Sequence, residues 1–114
     1  PLAFQDKNNP LAKKGVTGPN GVEVLKTLAI SRLVLDNIEH IQSFWVDSGK
    51  ETTQIAMHYG VDDINGTLIE ENIAHQSGSQ TSSYEPSDSL IRWIRESGCT
   101  PVERDGWFNV VKNL

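Results

Sequence analysis

Apolar residues recur at helical spacing through GVEVLKTLAISRLVLD. Val22, Leu25, Leu28, Ala29 and Leu33 fall on one face, with Glu23, Lys26 and Arg32 elsewhere. This pattern predicts a helix over about 22–36, with Asn20 or Gly21 as its cap. The pattern then changes. IEHIQSFWV (38–46) is rich in β-branched and aromatic residues and has the length of a strand. Ser48 and Glu51 match a capping box, which predicts a second helix from Ser48 to about Tyr59, with Gly60 just past its end. VDDI (61–64) reads as a very short strand. SDSLIRWIRES (87–97) reads as a helix opened by Pro86 and Ser87 and closed by Gly98, with Leu90, Ile91 and Ile94 as its buried stripe. PVERD (101–105) reads as a last short strand.

Between these elements lie polar segments. QDKNNPLAKKGVTGPNG (5–21) is rich in Asn, Gly, Pro and Lys and reads as a long surface loop, a kind that is often functional. A Gly/Ser-rich stretch occupies 76–83. Strands alternating with helices predict an α/β fold with a parallel sheet and flanking helices. At 114 residues the chain is expected to form a single domain spanning 1–114. In parallel sheets of this kind, functional loops lie at the C-terminal ends of the strands. Three segments qualify: Gln5 onward, Val46–Asp47, and Asp62 onward.

Charge narrows the classes of partner. The net charge is −5, and the ten basic residues are scattered. That disfavours a nucleic-acid or anionic-membrane surface, which needs clustered Lys and Arg. No apolar run approaches the length of a membrane span. The single cysteine, Cys99, allows no internal disulfide, so a reducing cytoplasm is the expected compartment.

The densest chemistry lies in YGVDDINGTLIEENIAHQSG. Asp62, Asp63, Glu70 and Glu71 fall within ten residues, and His75 follows. Hard oxygen ligands suit a divalent cation, but the spacing matches no EF-hand and there is no H-E-x-x-H. Adjacent acids on a strand point to opposite faces, so Asp62 and Asp63 cannot both face one site. A solvated acidic loop and a substrate-binding loop are the two main readings, and a dedicated metal site is the least supported. His40 and His58 read as surface or interface histidines, and Cys99 as a small buried residue, with a reactive thiol the minor alternative. Trp45, near a predicted strand end, could stack on a ligand or fill the core, with the core favoured. Trp93 and Trp107 carry no positional argument. No GxGxxG, P-loop, GxSxG or ordered triad is present.

Four blocks together resemble the C-terminal third of radical SAM enzymes of menaquinone biosynthesis, most closely the aminofutalosine synthase family. They are PLAFQ…NNPL, GVEVLKTLAISRLVLDNIEHIQSFW, GVDDINGTLIEENIAHQSG and PVERDGWFNVV. The dehypoxanthine futalosine cyclases and the deazaflavin cofactor synthases share the DDINGTLIEE block in altered form. The Asp62–Asp63 pair and the PVERD tail favour the synthase branch. The resemblance implies the C-terminal part of a TIM-type (β/α) barrel, with an incomplete parallel sheet. PLAFQ, HIQSFW and VDDI would supply its late strands. It implies a transferase that joins S-adenosylmethionine to an enolpyruvyl ether of benzoate, giving aminofutalosine. The substrate contacts it implies are Gln5, Trp45, Asp62, Asp63, Gly66, Thr67, Glu70, Glu71 and His75. The acids would serve the sugar and amine side, because they would repel a substrate carboxylate. No residue of this chain is assigned a catalytic or metal-ligating role.

One departure is decisive. The family binds a [4Fe–4S] cluster through a CxxxCxxC motif, and this chain has one cysteine. The expectation is therefore a fragment, favoured also by the abrupt start at PLAFQ, that lacks the N-terminal part of the barrel and is inactive alone. A part of the cyclase or of a related radical SAM enzyme is the enzyme alternative. A non-catalytic α/β binding or assembly module is the alternative of another class. A few barrel strands leave an open edge and uncovered apolar surface. The isolated chain is therefore expected to self-associate, and light scattering that showed a clean monomer of high thermal stability would overturn this.

Overall fold

A computed structural model describes residue 4, residues 8–68, residue 76 and residues 84–114. Helix α1 spans Gly21–Val34. Asn20 caps it: its side chain accepts from the Glu23 N–H at 3.1 Å, and the Glu23 carboxylate accepts from the Asn20 N–H at 2.8 Å. This reciprocal box satisfies two N–H groups that the helix start would otherwise leave without partners. The expected buried stripe is only partly right. Leu28 is buried and Leu25 half-buried, but Val22 and Leu33 are exposed and Val24 joins the packed face instead. Apolar side chains surround α1 on nearly every side, so periodicity alone could not select the face that packs.

The strand expected over 38–46 is much shorter. Strand β1 is Gln42–Ser43, and helix α2 begins already at Trp45 and runs to Ala56. Phe44 ends the extended chain, and its carbonyl accepts from the N–H groups of Asp47 and Ser48. Ser48 therefore does not start the helix. Its hydroxyl donates to the Phe44 carbonyl at 3.0 Å and lies 3.0 Å from the Thr53 hydroxyl. Gly49, at φ 79° and ψ 166°, then kinks the helix after its first turn. The Ser-Gly pair marks a break inside α2 rather than its beginning. A 3-10 turn, Met57–Tyr59, leads to Gly60, at φ 93°.

Strand β2 is Asp63–Ile64. It lies parallel to β1, with Gln42 opposite Asp63 and Ser43 opposite Ile64. Helix α3, Ser87–Glu96, follows Pro86 and ends before Gly98, as the sequence predicts. The final segment holds more structure than expected. Strand β3, Val102–Arg104, pairs antiparallel with β4, Val110–Asn113, across a bulge at Glu103–Arg104. The Asp105 carboxylate makes the turn by accepting from the N–H groups of Trp107 and Asn109 at 2.8 and 3.0 Å. Among the described residues the chain is α/β, with one parallel and one antiparallel two-stranded sheet.

Two small cores join these parts. Leu28, Ile41, Ala56 and Val61 pack α1 against β1 and α2. Trp45, Val46, Leu90 and Trp93 pack α2 against α3. The two indoles meet edge to face, with centroids 6.0 Å apart. Ile41, Ser43, Trp45 and Ile64 thus point toward the helices. By strand alternation Gln42 and Asp63, opposite each other across the pair, share the other face, while Phe44 just past β1 packs against the Trp45 core. Among the described residues no helix is long and apolar enough to cross a membrane.

Gly60 sets the spacing between α1 and the start of β2. A Cβ there would lie 2.7 Å from the Arg32 Cβ, in a left-handed conformation. Gly60→Ala is expected to destabilise the fold by roughly 1–3 kcal/mol, combining backbone strain with displacement of Arg32. Denaturant melts would detect this as a lower midpoint at unchanged slope.

Candidate functional site

The adjacent acids part as strand geometry requires. Asp62 lies where β1 and β2 begin. Its carboxylate accepts from the Ile41 N–H at 2.8 Å, meets His40 Nδ1 at 2.7 Å and pairs with the Arg32 guanidinium. Arg32 also donates to the carbonyls of Gly60 at 2.7 Å and Glu39 at 2.9 Å. One arginine thus ties α1 to the chain entering both strands. Partial burial pushes the Asp62 carboxyl up. The Ile41 and His40 hydrogen bonds and the Arg32 charge push it down further, and the net result lies below its ordinary value.

Asp63 points to the other face. Only 10% of its side chain is exposed, and Arg104 Nε and Nη2 reach its two oxygens at 2.9 and 2.8 Å. Gln42 donates its side-chain amide to the same carboxylate. This paired geometry is the strong form of an arginine–carboxylate contact. The Asp63 hydrogen bonds hold the Arg104 guanidinium above its ordinary pKa, against the opposing effect of burial. Arg104 also covers the Phe108 ring at 4.4 Å, and that ring stacks on His40 at 4.2 Å, nearly parallel. The hairpin is thereby clamped to the strand pair from both faces.

The C-terminal end of β2 is built differently. Trp45 is 2% exposed and belongs to the core, as favoured in its sequence reading. Its indole N–H donates to the carbonyls of Asn65 at 3.1 Å and Gly66 at 3.4 Å, which fixes the loop leaving β2. A cavity of about 690 Å³ opens between this loop, α3 and the hairpin, and Asp62, Asp63, Gly66 and Thr67 line it. The structure therefore brings four of the nine sequence-named residues to one cavity. Gln5, Glu70, Glu71 and His75 lie outside the described residues. Among the described residues no group of three or more His, Cys, Asp or Glu could hold a metal ion.

Sequence reasoning missed Arg104, Gln42 and Asn65. Arg104 stood in the quoted PVERD block, but nothing in its spacing tied it to Asp63. Asn65 stood inside the acidic block and was passed over because it carries no charge.

Residues 1–113 match the family described as the CofH/MqnC C-terminal region, and the chain belongs to that family. The chain is 42% identical, over 98% of its length, to an aminodeoxyfutalosine synthase of Thermus thermophilus. It is 38% identical, over 91% of its length, to a cyclic dehypoxanthine futalosine synthase of Streptomyces coelicolor. Similarity extends, at 36% over 97% of the chain, to a 5-amino-6-(D-ribitylamino)uracil–L-tyrosine 4-hydroxyphenyl transferase of Archaeoglobus fulgidus. The chain spans 31%, 25% and 32% of the length of these three relatives.

The lowered Asp62 pKa has a definite sign. A carboxyl that is more acidic folded than unfolded contributes stability above its unfolded value, about 3.9, and loses it as pH falls through the lower folded value. Stability should therefore fall as pH drops below about 4. In Asp62→Asn, less stable at neutral pH, that decline should be shallower. Urea melts from pH 7 to 2 would check both.

Proposed function

We propose that this chain is the C-terminal part of a radical SAM enzyme that joins S-adenosylmethionine to an enolpyruvyl ether of benzoate, making aminofutalosine in menaquinone biosynthesis. The observation that carries this reading is the 42% identity to a synthase across 98% of the chain. In it, residues 1–114 form one unit and complete a TIM-type barrel begun by preceding sequence. The parallel β1–β2 pair, with helices on one face and polar side chains on the other, supports that architecture. The reading places the enzyme in the cytoplasm and gives it small-molecule substrates. It also makes self-association the expected behaviour of this chain alone.

Such an enzyme uses a [4Fe–4S] cluster, which generates the radical when bound. The residues here do not fit it. Cluster iron needs several thiolates, and Cys99 is the single cysteine of the chain. The cluster ligands would have to come from other parts of a longer polypeptide. What this chain would contribute is substrate positioning. Gly66 and Thr67 present backbone and hydroxyl groups to the cavity wall. Asp63, oriented by Arg104, and Asp62, clamped by Arg32 and His40, fix the strand from which that loop departs. Gln5, Glu70, Glu71 and His75 remain proposed substrate contacts, and Trp45 holds the loop from behind.

The test uses the full polypeptide that carries these residues, purified without oxygen and supplied with S-adenosylmethionine, a reductant and the enolpyruvyl ether. Aminofutalosine is the expected product by mass spectrometry. Turnover of dehypoxanthine futalosine instead would assign the cyclase. Inactivity on both substrates would leave a related radical SAM enzyme if the polypeptide holds an intact cluster, and the non-catalytic module if it holds none. The 114-residue chain alone should turn over neither.

A further inference from the structure

Asp63 and Arg104 both line the cavity of about 690 Å³, together with Gly66 and Thr67. Four carboxylates border that cavity: Asp62, Asp63, Asp88 and Glu103. Each has something that offsets its charge. Asp62 is held by Arg32 and His40 where the strands begin. Glu103 lies opposite Lys112 in the hairpin register. Asp88 lies in the first turn of α3, where the helix dipole favours a negative charge. Asp63 is the one closest along the chain to Gly66 and Thr67. Its side chain is 10% exposed, so water screens it poorly. Among the described residues Arg104 is the cation that meets it, at both oxygens, and the Gln42 amide adds a neutral donor. Arg104 comes from the hairpin, 41 residues further along. The charge seen from the Gly66–Thr67 wall is thus set by a residue outside the loop itself.

We propose that Arg104 is a positioning residue that sets specificity: by cancelling the Asp63 charge it lets an anionic substrate approach the Gly66–Thr67 wall. The choice of substrate rests on the function proposed above. Of the two molecules joined there, the enolpyruvyl ether of benzoate carries a carboxylate at each end and is a dianion at neutral pH. A bare carboxylate in a cavity of low dielectric repels such a ligand over about 10 Å, strongly enough to weaken binding about tenfold. Arg104 acts through Asp63 and need not touch the substrate. The fork of its guanidinium suits the task, because it engages both carboxylate oxygens at once.

The test is calorimetric binding of the enolpyruvyl ether to the full polypeptide, alongside steady-state turnover, in three variants. Arg104→Gln leaves the carboxylate uncompensated and should weaken the ether about tenfold, with KM rising more than kcat falls. The double variant Asp63→Asn with Arg104→Gln removes both charges and should regain most of that affinity. Asp63→Asn alone leaves Arg104 unopposed and should bind the ether about threefold more tightly. All three lack the ion pair, so a merely structural role would weaken the ether in each of them. Equal weakening in all three would overturn the proposal, as would Arg104→Gln binding like the parent, or a parent that does not bind the ether. Should Arg104→Gln not fold, Asp63→Asn decides, and weaker binding there overturns the proposal. The two readings fail separately. Normal turnover with unchanged ether affinity in Arg104→Gln sinks the Arg104 role alone. A parent that binds the ether and makes no aminofutalosine sinks the synthase reading alone.

Discussion

The contact between Asp63 and Arg104 holds the two sheets of this chain together. Asp63 lies in the parallel pair and Arg104 in the hairpin, 41 residues apart in sequence. With 10% of the Asp63 side chain exposed, neither partner could stand alone without leaving a poorly solvated charge. Their pairing fixes where the hairpin sits, and the hairpin in turn places Phe108. That ring adopts a left-handed backbone at φ 63°, unusual for a bulky residue. Stacking between the Arg104 guanidinium and the His40 imidazole offsets the local cost. His40 then meets Asp62, and Asp62 meets Arg32. A single chain of contacts runs from the hairpin through both strands to α1.

What the sequence made legible were local signals with one physical solution. Asn20 and Glu23 form a box because three residues of spacing bring each side chain to the other's backbone. Gly60 and Gly98 end helices because both adopt positive φ, at 93° and 75°, where a side chain is strained. Asp62 and Asp63 diverge because successive strand residues must. The features that escaped are settled by distant partners. IEHIQSFWV is a good strand by composition, yet the chain turns helical at Trp45, where the indole can pack on Trp93 from α3. Nothing within nine residues encodes that. β4 escapes because its apolar residues, Val110 and Val111, lie on both faces, which breaks the alternation by which a strand is recognised. Of the candidate site, the loop was legible and the groups that orient it were not. Arg104 belongs to Asp63 through space only.

Helix α1 explains a different failure. A helix apolar on one stripe announces its buried face, but one apolar all round packs on more than one side. Leu28, at 1% exposure, faces the local core, while Ile30 and Leu33 stay uncovered at 59% and 83%. The described elements satisfy one side of this helix. Within the reading of a longer barrel, the other side is where neighbouring helices would pack.

The two ends of the strand pair differ in electrostatic state, and that difference bears on where binding can occur. At the start of the strands every carboxylate oxygen of Asp62 is engaged, by a backbone N–H, a histidine and an arginine. A ligand there would have to displace internal partners and would gain little. Between the ends, Asp63 is neutralised. At the far end, Asn65 Oδ1 is buried without a hydrogen-bond partner among the described residues, and Gly66 and Thr67, which line the larger cavity, carry no charge. Asp62 and Asp63 therefore act on the scaffold, and Gly66 and Thr67, which follow them, border the cavity without a charge of their own.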